Sequence, residues 1–311
     1  MNFTERNGTR RRQPSMSEPL PVIYNPTAGA QGSRKLRRAL KALEEMEFET
    51  ELLPTSGIGS ATGLARRAAE KGMRRLVVAG GDGTINEVVN GIAGSGTELA
   101  VIPTGTANVL ATELGIPLKV EEAAKLAVMG KCKSIDLGLA DGRYFTLMAG
   151  VGFDALVIKN LNPVLKKSIR RAAFPVTGVL TLMQKDLPLL EVRSQGRTAE
   201  GYFAVVSNSR YYGGRFGPNP KASITDGLLD VCVLRGKSFQ EMLNFWVAAL
   251  KKEHLDEPFA EYFRSSEVEV SCPRGTPVPV QTDGEVVGEL PMRIAVKPGA
   301  LKVCAGGGGE T

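Results

Sequence analysis

The residues best suited to chemistry lie together in Gly80-Gly81-Asp82-Gly83-Thr84-Ile85-Asn86-Glu87. Three glycines in four residues let the backbone turn sharply and come close to a ligand. Asp82 sets a single carboxylate inside that turn. The apolar run Arg75-Leu76-Val77-Val78-Ala79 precedes it and an amphipathic segment follows. The amides from Thr84 onward should therefore open a helix, whose N-terminus attracts anions. A carboxylate beside a phosphate cradle makes chemical sense when a cation lies between them. The segment thus points to a nucleoside triphosphate site with Mg²⁺. It is not of the common types. There is no G-x-x-x-x-G-K-[ST] string, Asn86 stands where the dinucleotide fingerprint needs its third glycine, and the protein-kinase strings H-R-D and D-F-G are absent.

Such a turn needs a strand to enter it and a sheet to hold that strand. From residue 19 the chain alternates between strand and helix signals. Strands are expected at 21–26, 48–53, 76–79 and 98–102, and helices at 33–46, 60–71, from 84, at 106–114 and at 120–129. Regular alternation of this kind specifies a parallel sheet with helices on both faces. From Ser134 the pattern changes to short alternating runs, at 135–139, 144–149, 190–193, 202–207, 228–234, 268–271, 278–281 and 292–296, separated by Gly and Pro turns. That is the pattern of an antiparallel sandwich or barrel. Helical inserts are expected at 155–183 and 238–252. The fold class is therefore an α/β N-terminal nucleotide-binding domain followed by a mainly antiparallel β-sandwich. The expected divisions are a disordered basic tail (1–18), an α/β domain (19–133, with 296–305 able to complete it), a β-rich domain (134–295) and a flexible tail (306–311).

Composition narrows the function classes. With 311 residues, 42% hydrophobic and 23% charged, the chain can bury a full core. A formal charge of +6 fits nucleic acid, an anionic membrane surface or simple solubility. The four cysteines form no C-x-x-C pair and are expected as reduced thiols in a cytoplasmic protein. The single histidine, His254, rules out multi-histidine zinc sites and lies in a polar stretch expected at the surface. No uncharged apolar run has the length of a membrane span, and the N-terminus lacks a signal-peptide core.

Six strings in order resemble the diacylglycerol kinase catalytic domain family, which includes soluble bacterial lipid kinases and sphingosine kinases. They are Tyr24-Asn25-Pro26-Thr27-Ala28-Gly29, the glycine-rich turn, Pro103-Thr104-Gly105-Thr106-Ala107-Asn108, Ile135-Asp136-Leu137-Gly138, Asp226-Gly227-Leu228-Leu229-Asp230 and Gln281-Thr282-Asp283-Gly284-Glu285. The resemblance spans nearly the whole folded chain, and its soluble bacterial branch fits best. It implies an ATP- and Mg²⁺-dependent kinase acting on the hydroxyl of diacylglycerol or a similar lipid alcohol, with 134–295 as the lipid-substrate domain. Asn25, Thr55, the turn from Gly80 through Gly81, Asp82, Gly83, Thr84 and Ile85 to Asn86, and Thr106 would contact ATP. Asp82 would hold Mg²⁺ through water, and Asp136 would face the same cleft. Asp283 would be the general base with Glu285 as its support. A second, structural Mg²⁺ would lie on the Asp226 carboxylate and the carbonyls of Ser223 and Leu228. The lipid would be met at a membrane surface, with peripheral contact at its inner face; a homodimer is open, and no nucleic acid partner is implied. Lys166, Lys167, Arg170 and Arg171, beside apolar residues of 172–182, form either an interfacial patch or the solvated face of a packed helix.

Two departures stand out. Val109 follows Asn108 where the family often has Asp, and Thr112 stands where it often has Arg. A weakly catalytic nucleotide-binding regulator therefore stays open beside the kinase, as does a kinase for a soluble acceptor, because NAD kinases share a G-G-D-G-type turn. By spacing alone, Asp226-Gly227 and Asp283-Gly284 read first as hairpin turns.

Overall fold

The computed structural model describes residues 18–306 except 154, 157–186, 213–216, 237, 252 and 257. Most of the 155–183 insert, the basic patch within it and nearly all of both tails lie outside the described residues.

Buried apolar runs make the strands of the N-terminal half. β1 (Leu20–Tyr24), β2 (Thr50–Pro54), β3 (Arg75–Gly80) and β4 (Glu98–Pro103) run parallel in the order β2-β1-β3-β4. Every residue of β3 from Leu76 and of β4 from Leu99 is buried, as a strand covered on both faces requires. The helices are α1 (Gly29–Glu44), α2 (Ser60–Glu70), α3 (Asp82–Ile92), α4 (Val109–Glu113) and α5 (Val120–Met129). Ala39 and Leu43 of α1 meet Ala124 of α5 over Val77 and Ile102 on one face. Ala65 of α2 meets Ile85 and Val89 of α3 over Ile23 and Val78 on the other.

Beyond α5 the chain is mainly β: β5 (Cys132–Ala140), β6 (Arg143–Phe145), β7 (Met148–Gly152), β8 (Leu190–Ser194), β9 (Arg197–Gly201), β10 (Phe203–Ser207) and β11 (Leu229–Leu234). One helix, α6 (Phe239–Lys251), precedes β12 (Ala260–Ser265), β13 (Glu267–Ser271), β14 (Pro279–Thr282), β15 (Glu285–Glu289) and β16 (Met292–Cys304). Six strands form an antiparallel sheet, β12-β11-β10-β7-β14-β15. The others continue the parallel sheet through β16 into β13, β8 and β9, with β5 and β6 branching from β16. β16 makes this continuity possible because its 13 residues reach both halves: Lys302 and Val303 pair in parallel with β4, while Met292 to Ala295 pair antiparallel with β13. The two sheets enclose an apolar layer that includes Val151, Val192, Val206, Val231, Val280 and Ile294.

The observed elements differ from the expected ones where polarity or a distant contact intervenes. The run 144–149 is not one strand; it breaks at Thr146-Leu147 into β6 and β7, which belong to different sheets. β9, β12 and β15 had no apolar signal because they are sheet edges, where solvated faces admit charged residues. α4 starts at Val109 instead of Thr106, because Asn108 takes a left-handed conformation at φ +50°. Two expectations are overturned. Cys132 and Cys304 are opposed in the β5–β16 register and form a disulfide, so only Cys232 and Cys272 are free thiols. Partners 172 residues apart cannot be found from spacing. His254 is buried, edge-on to Phe245, with its Nε2 2.6 Å from the Pro218 carbonyl oxygen. No helix among the described residues is long and apolar enough to cross a membrane.

Candidate active site

β3 delivers the chain to Gly81, which is extended, and α3 begins at once with Asp82 in its first turn. Ile85, Val88, Val89 and Ile92 recur at helical spacing and bury one face of α3. The neighbouring face carries Asn86 and Asn90. Glu87 turns the other way: its carboxylate accepts the Ala61 amide at the start of α2, 3.1 Å away, so this residue of the conspicuous string is a helix-packing group.

The turn after β3 lies against the turn after β4, backbone to backbone. A Cβ on Gly105 would sit 2.5 Å from Gly81 Cα, so a side chain there cannot be accommodated. Asp82 reaches across this contact to the start of α4 and accepts the Leu110 amide at 3.3 Å. Burial raises the Asp82 pKa; the amides of Leu110, Val109 and Asn108 oppose that rise, and the Asp283 charge adds to it. Val109 is buried as the first residue of α4, so no side-chain carboxylate meets Asp82 from that position. Asn108 donates its Nδ2 to the Gly105 carbonyl at 3.0 Å, but its Oδ1 is buried without a hydrogen-bond partner. Lys35 of α1 places its Nζ 3.3 Å from the same carbonyl.

Asp283 comes to this turn from the far end of the chain. It is the first residue of a two-residue turn joining β14 to β15, with φ +48° at Asp283 and +87° at Gly284, the values such hairpin turns require. It is thus a turn residue and does not share a strand face with Glu285. Its Oδ1 accepts the amides of Leu147 and Met148 at 2.9 and 3.1 Å. Its Oδ2 accepts Asn86 Nδ2 at 2.8 Å, the Thr146 amide at 2.8 Å and the Thr146 hydroxyl at 2.9 Å. This explains the break between β6 and β7: the amides that would continue a ladder point instead at one carboxylate. Asn90 clamps the same bend, accepting the Tyr144 amide and donating to its carbonyl, both at 2.9 Å. Glu285 is exposed and paired with Arg143; its Oε1 would lie 3.7 Å from a Cβ on Gly83.

Other expected site residues lie in varied surroundings. Asn25 closes a turn by accepting the Thr27 amide and hydroxyl, each at 2.8 Å. Thr55 is half-buried at the end of β2, its amide bonded to the Tyr24 carbonyl, and Thr106 is exposed in the loop before α4. Asp136 is buried and holds two loops, accepting the Gly227 amide at 2.7 Å and the Gly299 amide at 2.8 Å. Asp226, in the loop that also contains Ser223 and Leu228, is paired with Arg264. Lys35, Arg143 and Thr146 carry no signal of a site role in the sequence. Only the fold brings these three to the site.

The model of the diacylglycerol kinase catalytic domain matches residues 19–140, and that of the YegS C-terminal NAD kinase beta sandwich-like domain matches 148–305. A diacylglycerol kinase of Bacillus subtilis is 32% identical over 278 residues, covering 87% of this chain and 90% of that protein. One of Staphylococcus aureus is 32% identical over 277 residues, covering 87% of each. A crystal structure of a diacylglycerol kinase from Bacillus anthracis superposes with a TM-score of 0.76 at 26% identity, covering 93% of this chain and 97% of that one. Yeast NADH kinase shares the fold alone, at a TM-score of 0.52 and 11% identity, covering 93% of this chain and 84% of that one. The chain, with the glycine-rich turn and the late Asp283 hairpin joined in one site, belongs to the diacylglycerol kinase catalytic domain family.

Proposed function

We propose that this protein is a lipid kinase that uses ATP and Mg²⁺ to phosphorylate the hydroxyl of diacylglycerol or a similar lipid alcohol. The observation that carries this reading is the 2.8 Å bond from Asn86 to Asp283, which joins a phosphate-type turn to a carboxylate hairpin 197 residues away. Asp82 and the unpartnered Asn108 Oδ1 are oxygen donors suited to Mg²⁺. When bound with ATP, the ion would neutralise charge on the transferring phosphate. The bare backbones of Gly81 and Gly105 let the two turns meet in direct contact, with Thr55, Thr84 and Thr106 as hydroxyl contacts to a phosphate chain and Lys35 as a nearby cation. As the acceptor oxygen attacks the γ-phosphorus and ADP leaves, the hydroxyl proton passes to Asp283. Five donors already fill that carboxylate, so it takes the proton by giving up one of them. The Thr146 hydroxyl is the one that can rotate away. Glu285 and Arg143 border the acceptor side. Asp136 acts by holding the loops of Gly227 and Gly299, outside the reacting groups.

The test is transfer of labelled γ-phosphate to a panel of diacylglycerol, sphingoid bases, phosphatidylglycerol and NADH. Label in a lipid product supports the proposal, and its absence from every lipid refutes it. The fold shared with yeast NADH kinase favours a second reading, a kinase for a soluble acceptor, which label in the dinucleotide alone would establish. Because the acceptor is a lipid, we further propose a cytoplasmic protein that meets the inner membrane face peripherally.

A further inference from the structure

The loop from Ala222 to Leu228 is the place where the family resemblance implies a structural Mg²⁺, and the residues present do not fit one. A cation there needs the Asp226 carboxylate to face oxygen donors. Instead Asp226 Oδ1 accepts the Leu228 amide at 3.1 Å, and Oδ2 faces the Arg264 guanidinium. Arg264 is built into this position by register: in the β11–β12 pairing it lies directly opposite Asp230. Its Nε is 3.7 Å from Asp230 Oδ2, so one guanidinium spans both carboxylates. Asp230 is fully buried and also accepts the Tyr262 hydroxyl, two residues before Arg264 on the same face of β12. Lys221 adds a second cation, its Nζ 5.7 Å from the centre of the Tyr262 ring. Two carboxylates thus share one guanidinium with a lysine nearby, and a divalent ion would bring excess positive charge beside Arg264.

We infer that Arg264 takes the place of a structural metal ion, so that a covalently attached guanidinium and not Mg²⁺ holds the loop of Asp226 against β12. Planar N–H donors match carboxylates and cannot be removed by a chelator. The loop is pinned from its other side by Asp136, which accepts the Gly227 amide, so both turn residues are held by side chains of this chain.

The inference is tested without nucleotide, which keeps it separate from the kinase reading. Mn²⁺ binding is measured by electron paramagnetic resonance on the wild type and on Asp226→Asn. The two should bind the same number of ions, and the wild-type melting midpoint should be the same in Mg²⁺ and in EDTA. A bound ion that Asp226→Asn removes would overturn the inference, and so would a rise of about 5–10 °C in Mg²⁺ that this variant abolishes, the size expected of a saturated structural site. Arg264→Met should lower the midpoint by about 5 °C or more, because it leaves Asp230 buried and Asp226 unpaired. An Arg264→Met protein with the wild-type midpoint would equally overturn it. Should that variant not fold, the wild-type and Asp226→Asn arms decide the question alone.

Discussion

Replacing Asp283 by Asn changes one atom type in a carboxylate that accepts five hydrogen bonds. Whichever way the amide turns, its NH₂ must face either the two donors now on Oδ1 or the three on Oδ2. At least two bonds to a charged group are lost, at about 1.5–3 kcal/mol each, or roughly 3–6 kcal/mol together. A protein has only about 5–15 kcal/mol of net stability, so this is a large fraction of it. At about 2–4 °C per kcal/mol, the melting midpoint should fall by on the order of 10 °C in differential scanning calorimetry. Thr146→Val removes only the hydroxyl donor and should cost about 1.5–3 kcal/mol, roughly half of that loss. Catalysis should respond more strongly: without its proton acceptor, Asp283→Asn should lose about 10²–10⁴-fold in kcat. Binding of a non-hydrolysable ATP analogue, measured at a temperature where the variant is folded, should change little, because Asp82, Lys35 and the Gly81–Gly105 contact remain. A midpoint within about 2 °C of the wild type would refute the claim that the five donors depend on this charge. Wild-type turnover would refute the assignment of Asp283 as the base.

Three further outcomes follow from the geometry. Burial raises the Asp82 pKa, so the folded protein holds that proton more tightly than the unfolded chain does; the residue's contribution to stability is most favourable below the ordinary carboxylate range and declines as pH rises through the raised value. Asp82→Asn should therefore melt no lower than the wild type at neutral pH in the absence of metal while losing kinase activity, and a clearly lower midpoint would contradict this. Gly105→Ala should abolish ATP-analogue binding in a calorimetric titration, since the new Cβ would lie 2.5 Å from Gly81 Cα; near wild-type affinity would show that the two turns can part at little cost. Thiol titration should find Cys272 reactive in the native protein and Cys232 silent, because burial pushes the Cys232 thiol up to about 12; denaturant should expose the second, and reduction should release Cys132 and Cys304. Four thiols in denaturant before reduction would refute the disulfide.

The sequence alone determined the parts set by local chemistry. Buried runs such as Leu76-Val77-Val78-Ala79 need cover on both faces, which specifies the parallel sheet, and three glycines around Asp82 specify a sharp turn from strand to helix wherever the rest of the chain lies. The ordered strings were legible because each depends on a few neighbouring residues. Tertiary structure alone decided what each carboxylate does. Asp136, Asp226 and Asp283 all sit in short polar strings of similar appearance, yet one holds two loop amides, one faces Arg264, and one gathers five donors next to the glycine-rich turn. The edge strands, the bend at Thr146, the Cys132–Cys304 pairing and the approach of Lys35 and Arg143 were hidden for the same reason. A side chain's role follows from the donors, acceptors and charges it meets, and here those come from strands that are distant in the chain and adjacent only in the folded sheets.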